Sequence, residues 1–247
     1  MTKTVDLYTK VLQDKLSQAI KNNSESFKKA TAAIFKSIES GGVWHLFGTG
    51  HSSMAVQEAF HRAGGLIPVN PWLEEYLMPQ AGPTRNGSME KLSGLSQVIF
   101  DYYKPQENEV LTIISNSGIN PTTVEMAEVA RPRKIKTIAI TNLEHSKENK
   151  SRHSNGKKLF EVCDIVIDTG GVKGDAAITL PHLDVPVGPL STILNSFIIN
   201  SLVISVCEEF SKIGVAAPVY LSANVAGGAE RNRKLEAKYL SRIPRFR

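Results

Sequence analysis

Apolar positions recur at helical spacing through the first part of the chain. Within residues 5–38 the apolar side chains lie three or four positions apart on both sides of a polar break at 22–26, which predicts two successive helices. The pair Gly41-Gly42 ends the second helix, and the run VWHLF at 43–47 is typical of a buried strand. The chain is thus predicted to open with two helices and a strand.

Beyond this strand, short apolar runs alternate with segments of helical pattern. Further strands are predicted at 66–69, 110–115, 137–141 and 164–168, and helices at 52–63, 89–103, 121–131 and 191–213. A loop rich in Pro and Gly runs through residue 88. Strands that are apolar at nearly every position are buried on both faces, and their alternation with helices indicates a parallel sheet covered on two sides. The prediction is an α/β fold.

The composition is that of an ordinary globular protein. The 247 residues are 41% hydrophobic and 21% charged, which is long and apolar enough for a self-sufficient core. Without repeats or linkers, we expect one domain over 1–247, with a core at about 31–214, N-terminal helices at 1–40 and a C-terminal extension at 215–247. The start of the chain is charged, and no apolar run reaches the roughly 18 residues of a membrane span. We therefore expect a cytoplasmic protein with no membrane partner.

The net charge of +5 favours an anionic partner but does not identify it. Much of the excess lies at 229–247. That stretch and the basic patch at 131–136 lack interleaved aromatic residues, so no nucleic acid is expected as a partner. Neither Cys163, Cys207 nor the histidines have metal-ligand spacing, so we expect no metal and no cofactor.

In open parallel sheets, ligands bind at the carboxyl ends of the strands. The first predicted strand ends in FGTGHSS at 47–53, here called the first loop, so this segment is a candidate ligand site. Its glycines let the backbone turn sharply out of the strand. Free amides at the start of the next helix, together with hydroxyls, make a seat for an anion. The candidate ligand-binding residues are Gly48, Thr49, Gly50 and Ser52, and His51 lies between Gly50 and Ser52 in the same loop.

A second stretch of this kind is ISNSGINPTT at 114–123, the second loop, where Pro121 begins the next helix. Neutral donors can hold a phosphate where backbone amides and a helix dipole converge, so no lysine is needed. The candidates are Ser115, Asn116, Ser117, Asn120 and Thr122. Two such loops in one sheet favour a ligand over ordinary glycine turns.

Nucleotide-binding patterns fit less well. Ser53 stands where the dinucleotide fingerprint has its third glycine, and no acidic residue ends the run 66–69. The GxxxxGK[ST] phosphate-binding loop does not occur in the sequence.

The order strand, GTGHS, helix, strand, ISNSG, helix, followed by TIAITN, CDIVIDTG and a long apolar helix after GPLST, resembles the sugar isomerase (SIS) domain. The similarity extends over roughly 31–214 and is greatest to phosphoheptose isomerase-like proteins and a related SIS subgroup. It implies a three-layer flavodoxin-like fold with a five-stranded parallel sheet, a phosphorylated sugar as ligand, and a homodimer or homotetramer with sites near subunit boundaries. The resemblance assigns the phosphate contacts to Ser52, Ser115, Asn116, Ser117 and Asn120.

The chain departs from the family at its catalytic positions. Phosphoheptose isomerases and muramic acid phosphate etherases have a catalytic glutamate ten residues after the serine that matches Ser52, where this chain has Arg62. The isomerases also use a histidine early in the C-terminal helix, and STILNSFIIN contains none.

Glu58 is the candidate base. Ketose–aldose isomerisation through an enediol needs a group that moves a proton between adjacent carbons. Glu58 lies about two helical turns beyond the first loop, on the face of the predicted helix that leads away from that loop. The alternative is a solvated carboxylate that pairs with Arg62 at i+4.

The candidate acids are His51 and His153, which lie in predicted loops at the ligand end of the sheet. His61 is expected on the surface of a helix, and His45 is expected as a core histidine inside a strand. The sequence does not decide the role of His182.

Two glycine-rich segments, 167–178 and 222–232, either close over a sugar or form tight turns. The first contains Asp168 and Asp175.

We therefore expect a phosphosugar-binding protein that isomerises a sugar phosphate by proton transfer. Two alternatives stay open, a lyase or etherase acting beside the same phosphate and a non-catalytic phosphosugar sensor.

Overall fold

The computed structural model describes residues 2–246 and contains a parallel sheet of five strands in the order β2-β1-β3-β4-β5. The strands are β1 (Trp44–Gly48), β2 (Val69–Trp72), β3 (Val110–Ile114), β4 (Lys136–Thr141) and β5 (Ile165–Asp168). A separate antiparallel pair is formed by β6 (Ala176–Ile178) and β7 (Val187–Pro189). The register places Trp44 beside Val69 on one side and beside Val110 on the other.

Helices cover both faces of the sheet. They are α1 (Lys3–Lys21), α2 (Ser24–Glu39), α3 (Ser53–Ala59), α4 (Pro83–Met89), α5 (Leu95–Tyr103), α6 (Pro121–Ala130), α7 (Leu143–Glu148), α8 (Leu159–Val162), α9 (Ser191–Lys212) and α10 (Gly228–Glu236). One apolar core joins α2, α3 and α9 to the sheet, and a second joins α5, α6 and α8 to its opposite face. This arrangement confirms the expected three-layer α/β fold and its five-stranded parallel sheet.

Several element boundaries differ from the sequence prediction for local reasons. The second strand is 69–72 rather than 66–69, because Leu66 forms an antiparallel bridge with Val219 instead of joining the parallel sheet. The helix predicted to reach residue 63 ends at Ala59, since Phe60 is extended and His61 has a positive φ of 49°.

The stretch read as a loop through residue 88 contains α4, and the helix predicted to start at residue 89 starts at Leu95. Gly94, with a φ of 83°, provides the turn between these two helices.

Helix α9 lies in the centre of the first core. Among residues 2–246 it is the one helix long and apolar enough, by length and composition, to cross a membrane. Leu194, Ile198, Leu202 and Val206 are nevertheless fully buried in the core with α2 and α3. Its apolar character is that of a core helix, as the hydrophobic pattern of 191–213 indicates.

The C-terminal segment packs against the side of the sheet next to β2. Val43, Ile67, Tyr220, Tyr239 and Ile243 form a third apolar cluster there. Backbone hydrogen bonds join residues 64–67 to 218–220.

A buried carboxylate at the start of β3 holds this segment to the sheet. Glu109 accepts hydrogen bonds from Val43 N at 3.0 Å, Gln106 N at 2.7 Å, His45 Nε2 at 2.8 Å and Arg242 Nη2 at 2.8 Å. The guanidinium of Arg242 thereby links the C-terminal segment to the amino-terminal ends of β1 and β3.

His45 acts in this network as a neutral donor. Its Nδ1 accepts from the indole Nε1 of Trp72 at 3.1 Å, and an indole N–H can only donate. The ring hydrogen therefore lies on Nε2, which donates to Glu109. Burial lowers the pKa of His45, which agrees with the neutral ring.

Burial alone would raise the pKa of Glu109, but its hydrogen bonds with His45, Gln106 and Arg242 outweigh this effect and bring the pKa to about 2. Because the folded pKa lies below the ordinary value of 4.5, the ionised carboxylate stabilises the fold above pH 4.5. This stabilisation is lost as the pH falls towards 2.

We predict that Glu109→Gln lowers the free energy of unfolding at pH 7 by about 3 kcal/mol, because it removes the ionised acceptor from a buried network. Urea denaturation at pH 7 and pH 3 measures the effect and its loss in acid. Glu107→Gln is the control, since Glu107 pairs with Lys134 on the exposed surface and should change stability little. An equal acid sensitivity in wild type and Glu109→Gln would contradict the prediction.

Candidate functional site

The candidate site lies where the strand order reverses, between β1 and its neighbour β3. The chain leaves β1 into α3 on one face of the sheet, and it leaves β3 into α6 on the other. The two connections therefore separate at the carboxyl edge and open a crevice, the usual ligand position in such sheets.

The first loop turns sharply because Gly48 allows close backbone contact. A Cβ at this position would lie 2.8 Å from the carbonyl oxygen of Ser52. A 3₁₀ turn over Gly50–Ser52 follows, in which Ser53 Oγ donates to Gly50 O at 2.8 Å. The amides at the start of this turn lack partners within it, as at any helix start.

The second loop is fixed by its own glycine and by β4. Gly118 has a φ of 60°, and its amide donates to Ser115 Oγ at 3.1 Å. Asn142 N donates to Asn116 O at 3.1 Å, which ties the loop to the end of β4. Asn120 then precedes Pro121, the first residue of α6.

Together the loops line a cleft of about 250 Å³. Its walls are formed by Thr49, Gly50, His51, Ser52, Glu90, Ser115, Asn116, Ser117, Asn120, His145, Asp175 and Ser191. The structure thus brings together residues of both loops that the sequence marked as candidates. It adds Glu90 just after α4, His145 of α7, Asp175 before β6 and Ser191 of α9.

Several side chains in the cleft are available to a ligand. Within the part of the chain that the structure describes, the hydroxyls of Ser52 and Ser117 and the side chains of His51 and Asn116 make no hydrogen bond to protein. Across the same residues, no lysine or arginine lines the cleft. A bound anion would be held by hydroxyls, amides and helix starts.

Glu90 supplies a carboxylate to the wall. It directly follows α4, and its carbonyl oxygen accepts from Thr122 N at 3.3 Å and Thr122 Oγ1 at 2.8 Å. Burial raises the pKa of Glu90, while hydrogen bonds from Thr49, Asn86 and Asn120 and the charge of Arg152 partly oppose the rise. A carboxyl group with a raised pKa suits proton transfer near neutral pH.

Asp175 is the second carboxylate at the cleft. Its oxygens accept from Ser191 N and Ser191 Oγ at 2.7 Å each and from Leu190 N at 3.1 Å. These bonds cap the start of α9, where the helix dipole favours a negative charge. Asp175 is therefore held at the start of α9, whereas Glu90 is held by hydrogen bonds from Asn120, Thr49 and Asn86.

Two candidates of the loops lie behind the cleft. Gly48 is buried at the end of β1, where it shapes the turn. Thr122 is fully buried and holds the backbone of Glu90. Both support the cleft wall without lining it.

Glu58 and His153 are not brought to the cleft. Glu58 pairs with Arg62 and accepts from Asn200 Nδ2 of α9 at 3.0 Å. The ring of His153 lies beside α6, with Nε2 3.6 Å from Glu125 Oε1 and Nδ1 2.7 Å from Asn155 Oδ1.

Glu90 and His145 line the cleft but were not predicted from the sequence. His145 lies just beyond β4, so the rule that selected the two loops would also have found it. Glu90 follows a helix within a long connection, and no signal in the sequence separates it from the other acidic residues.

Over residues 2–246 the structure holds no group of three His, Cys, Asp or Glu side chains arranged to bind a metal ion.

Comparison with known proteins agrees with the fold. The family model described as SIS domain matches residues 7–142, and confirms the resemblance seen in the sequence. A UPF0309 protein of Geobacillus thermodenitrificans is 39% identical over 240 residues, covering 97% of this chain and 96% of the relative.

Two solved structures share the fold at low sequence identity. The phosphoheptose isomerase of Neisseria gonorrhoeae is 16% identical with a TM-score of 0.54, over 82% of this chain and 96% of that chain. The NanR protein of Vibrio vulnificus, complexed with ManNAc-6P, is 11% identical with a TM-score of 0.50, over 98% of this chain and 70% of that chain.

We predict that Gly48→Ala destabilises the protein by about 1–3 kcal/mol, because the new methyl group would overlap the backbone of Ser52. Thermal and urea unfolding measure the loss. Gly87→Ala is the matched control, since a Cβ there meets nothing within 4 Å and α4 should gain slightly from the better helix former. Equal stability of the two variants would show that the turn relaxes without cost.

Proposed function

Because this chain belongs to the SIS-domain family and to the UPF0309 proteins, we propose that it binds a phosphorylated sugar in the cleft and interconverts its ketose and aldose forms. The observation that carries the proposal is the convergence of two loops, rich in hydroxyl and amide donors, from the neighbouring strands β1 and β3. Such a site recognises a phosphate without a cation.

The phosphate is assigned to the donors of the two loops. Ser52 belongs to the 3₁₀ turn that precedes α3, and Ser117 to the loop that precedes α6. Their side chains line the cleft without protein partners among the described residues, so phosphate binding breaks no existing side-chain bond. A sugar phosphate is also the class of ligand named for the two solved structures, the isomerase by its substrate and NanR by ManNAc-6P.

Proton transfer is assigned to Glu90. Isomerisation through an enediol removes a proton from the carbon beside the carbonyl group and returns it to the adjacent carbon. Glu90 lines the cleft and has a raised pKa, whereas Glu58 is bonded to Arg62 and Asn200 outside it. His51 and His145 line the same cleft and are the candidates for donating to the sugar oxygens.

We also propose a homodimer or homotetramer, as the resemblance implies. Helix α9 carries exposed apolar side chains, with Ile193 40% and Ile204 61% exposed. Apolar side chains exposed on a core helix are typical of a surface that another subunit covers.

We predict that a sugar phosphate raises the melting temperature, and that Ser52→Ala and Ser117→Ala each weaken its binding about tenfold by removing a donor to the phosphate. A thermal-shift panel of hexose, heptose and amino-sugar phosphates, followed by calorimetry, measures this. Ser88→Ala is the control, because Ser88 is exposed on α4 outside the cleft. If no sugar phosphate stabilises the protein, the proposed ligand class is wrong.

We predict that the protein exchanges the C2 proton of its bound ligand with solvent deuterium, and that Glu90→Gln slows this exchange by about 100-fold while binding persists. Proton NMR of the ligand in D₂O follows the exchange. Glu58→Gln should keep the wild-type rate, since that side chain lies outside the cleft. Binding without exchange in the wild type would instead support a phosphosugar sensor.

A further inference from the structure

A chain of hydrogen bonds connects the cleft carboxylate to an arginine outside the cleft. Arg152 Nη1 donates to Asn120 Oδ1 at 2.7 Å. Asn120 Nδ2 in turn donates to Glu90 Oε2 at 2.7 Å. Arg152 does not line the cleft, and these two hydrogen bonds connect it to Glu90 through Asn120.

The backbone holds Arg152 beside the second loop. Arg152 N donates to Ile119 O at 2.9 Å, and Leu159 N donates to Gly118 O at 2.8 Å. The segment after α7 is thereby attached to the second loop at two points.

The identity of each partner determines which way the Asn120 amide faces. A guanidinium can only donate hydrogen bonds, so the oxygen of the amide must face Arg152. The NH₂ group is then left for the carboxylate, which accepts. In the opposite orientation, the amide would place its oxygen against Glu90 and its NH₂ group against Arg152, and both contacts would be repulsive.

We propose that Arg152 is a positioning residue, which fixes the Asn120 amide so that its NH₂ group always donates to Glu90. This role rests on the proposed function, in which Glu90 moves the proton. By keeping a donor on the carboxylate, the pair Arg152–Asn120 determines the pH at which Glu90 becomes the ionised base.

The remaining groups around Glu90 do not replace this contact. Thr49 and Asn86 donate to the carboxylate from the first loop and from α4. The other titratable side chains that line the cleft are His51, His145 and Asp175. Arg152 is the cation whose charge lowers the pKa of Glu90, against the effect of burial.

Removal of the guanidinium should change the pKa of Glu90 in one direction. In Arg152→Met the Asn120 amide is free to rotate and to present its oxygen to Glu90, which favours the protonated acid. The pKa of Glu90 should therefore rise, and the ionised base should appear at a higher pH.

The test is a ¹³C NMR titration of the Glu90 carboxyl group in the full-length, ligand-free protein. We expect an upward shift of the midpoint in Arg152→Met, and a midpoint near that of the wild type in Arg152→Lys, because an ammonium group also only donates. Arg85→Met is the control, since Arg85 is exposed on α4 and lies outside the cleft.

A double-mutant cycle separates orientation from simple charge. In an Asn120→Ala background the amide is gone, so Arg152→Met should shift the Glu90 midpoint much less than it does in the wild type. An equal shift in both backgrounds would overturn the positioning role and leave only the charge. An unchanged midpoint in Arg152→Met would also overturn it.

The same variants link the inference to turnover. The pH profile of C2 proton exchange should move upward in Arg152→Met together with the NMR midpoint. Because the titration needs no ligand, a protein that binds no sugar phosphate would contradict the proposed function alone, whereas an unmoved midpoint would contradict the positioning role alone.

Discussion

The side-by-side placement of β1 and β3 is the constraint on which the rest of the molecule depends. Parallel strands deliver their carboxyl ends to one edge, but here the following helices depart to opposite faces. The two loops must therefore diverge, and the space between them is a cleft with backbone amides on both sides. The buried core on each face keeps this divergence rigid, so the site is formed by the fold before any ligand arrives.

The chemistry of the cleft follows from how little charge it contains. Much of the net charge of the chain lies in the C-terminal segment, where Arg242 pairs with Glu109, and no lysine or arginine among the described residues lines the cleft. The anion seat consists of hydroxyls, amides and helix starts instead. Glu90 lies close to this seat with a raised pKa because burial penalises its ionised form, and the nearby hydrogen bonds and the charge of Arg152 oppose only part of this rise.

Periodicity predicts most of the architecture, because buried parallel strands and amphipathic helices leave strong patterns in the sequence. It places β3, β4 and α9 within a residue or two of their bounds. It fails at β2, where the apolar residues Leu66 and Ile67 serve the third apolar cluster and the bridge to Val219 rather than the parallel sheet. Such long-range pairing is invisible to a local pattern.

The same distinction holds for the site. Residues that follow strands, such as Ser52 and Ser117, could be found because topology alone brings strand ends together. Glu90 follows a helix and Arg152 lies in a loop segment, and tertiary contacts bring both close to Asn120. The local sequence pattern does not predict these contacts. The position of Glu58, bonded to α9, likewise depends on helix packing that the sequence does not reveal.

The packing of residues 215–246 beside β2 has a consequence for colloidal behaviour. A strand at the border of a sheet presents unpaired backbone groups that can recruit a strand from another molecule. Here the side chain of Asn70 in β2 donates through Nδ2 to Arg242 O at 3.4 Å, and Arg245 Nη2 donates to Leu73 O just beyond the strand. The basic segment therefore shields this border and surrounds it with like charge, which discourages edge-to-edge aggregation between copies of the chain.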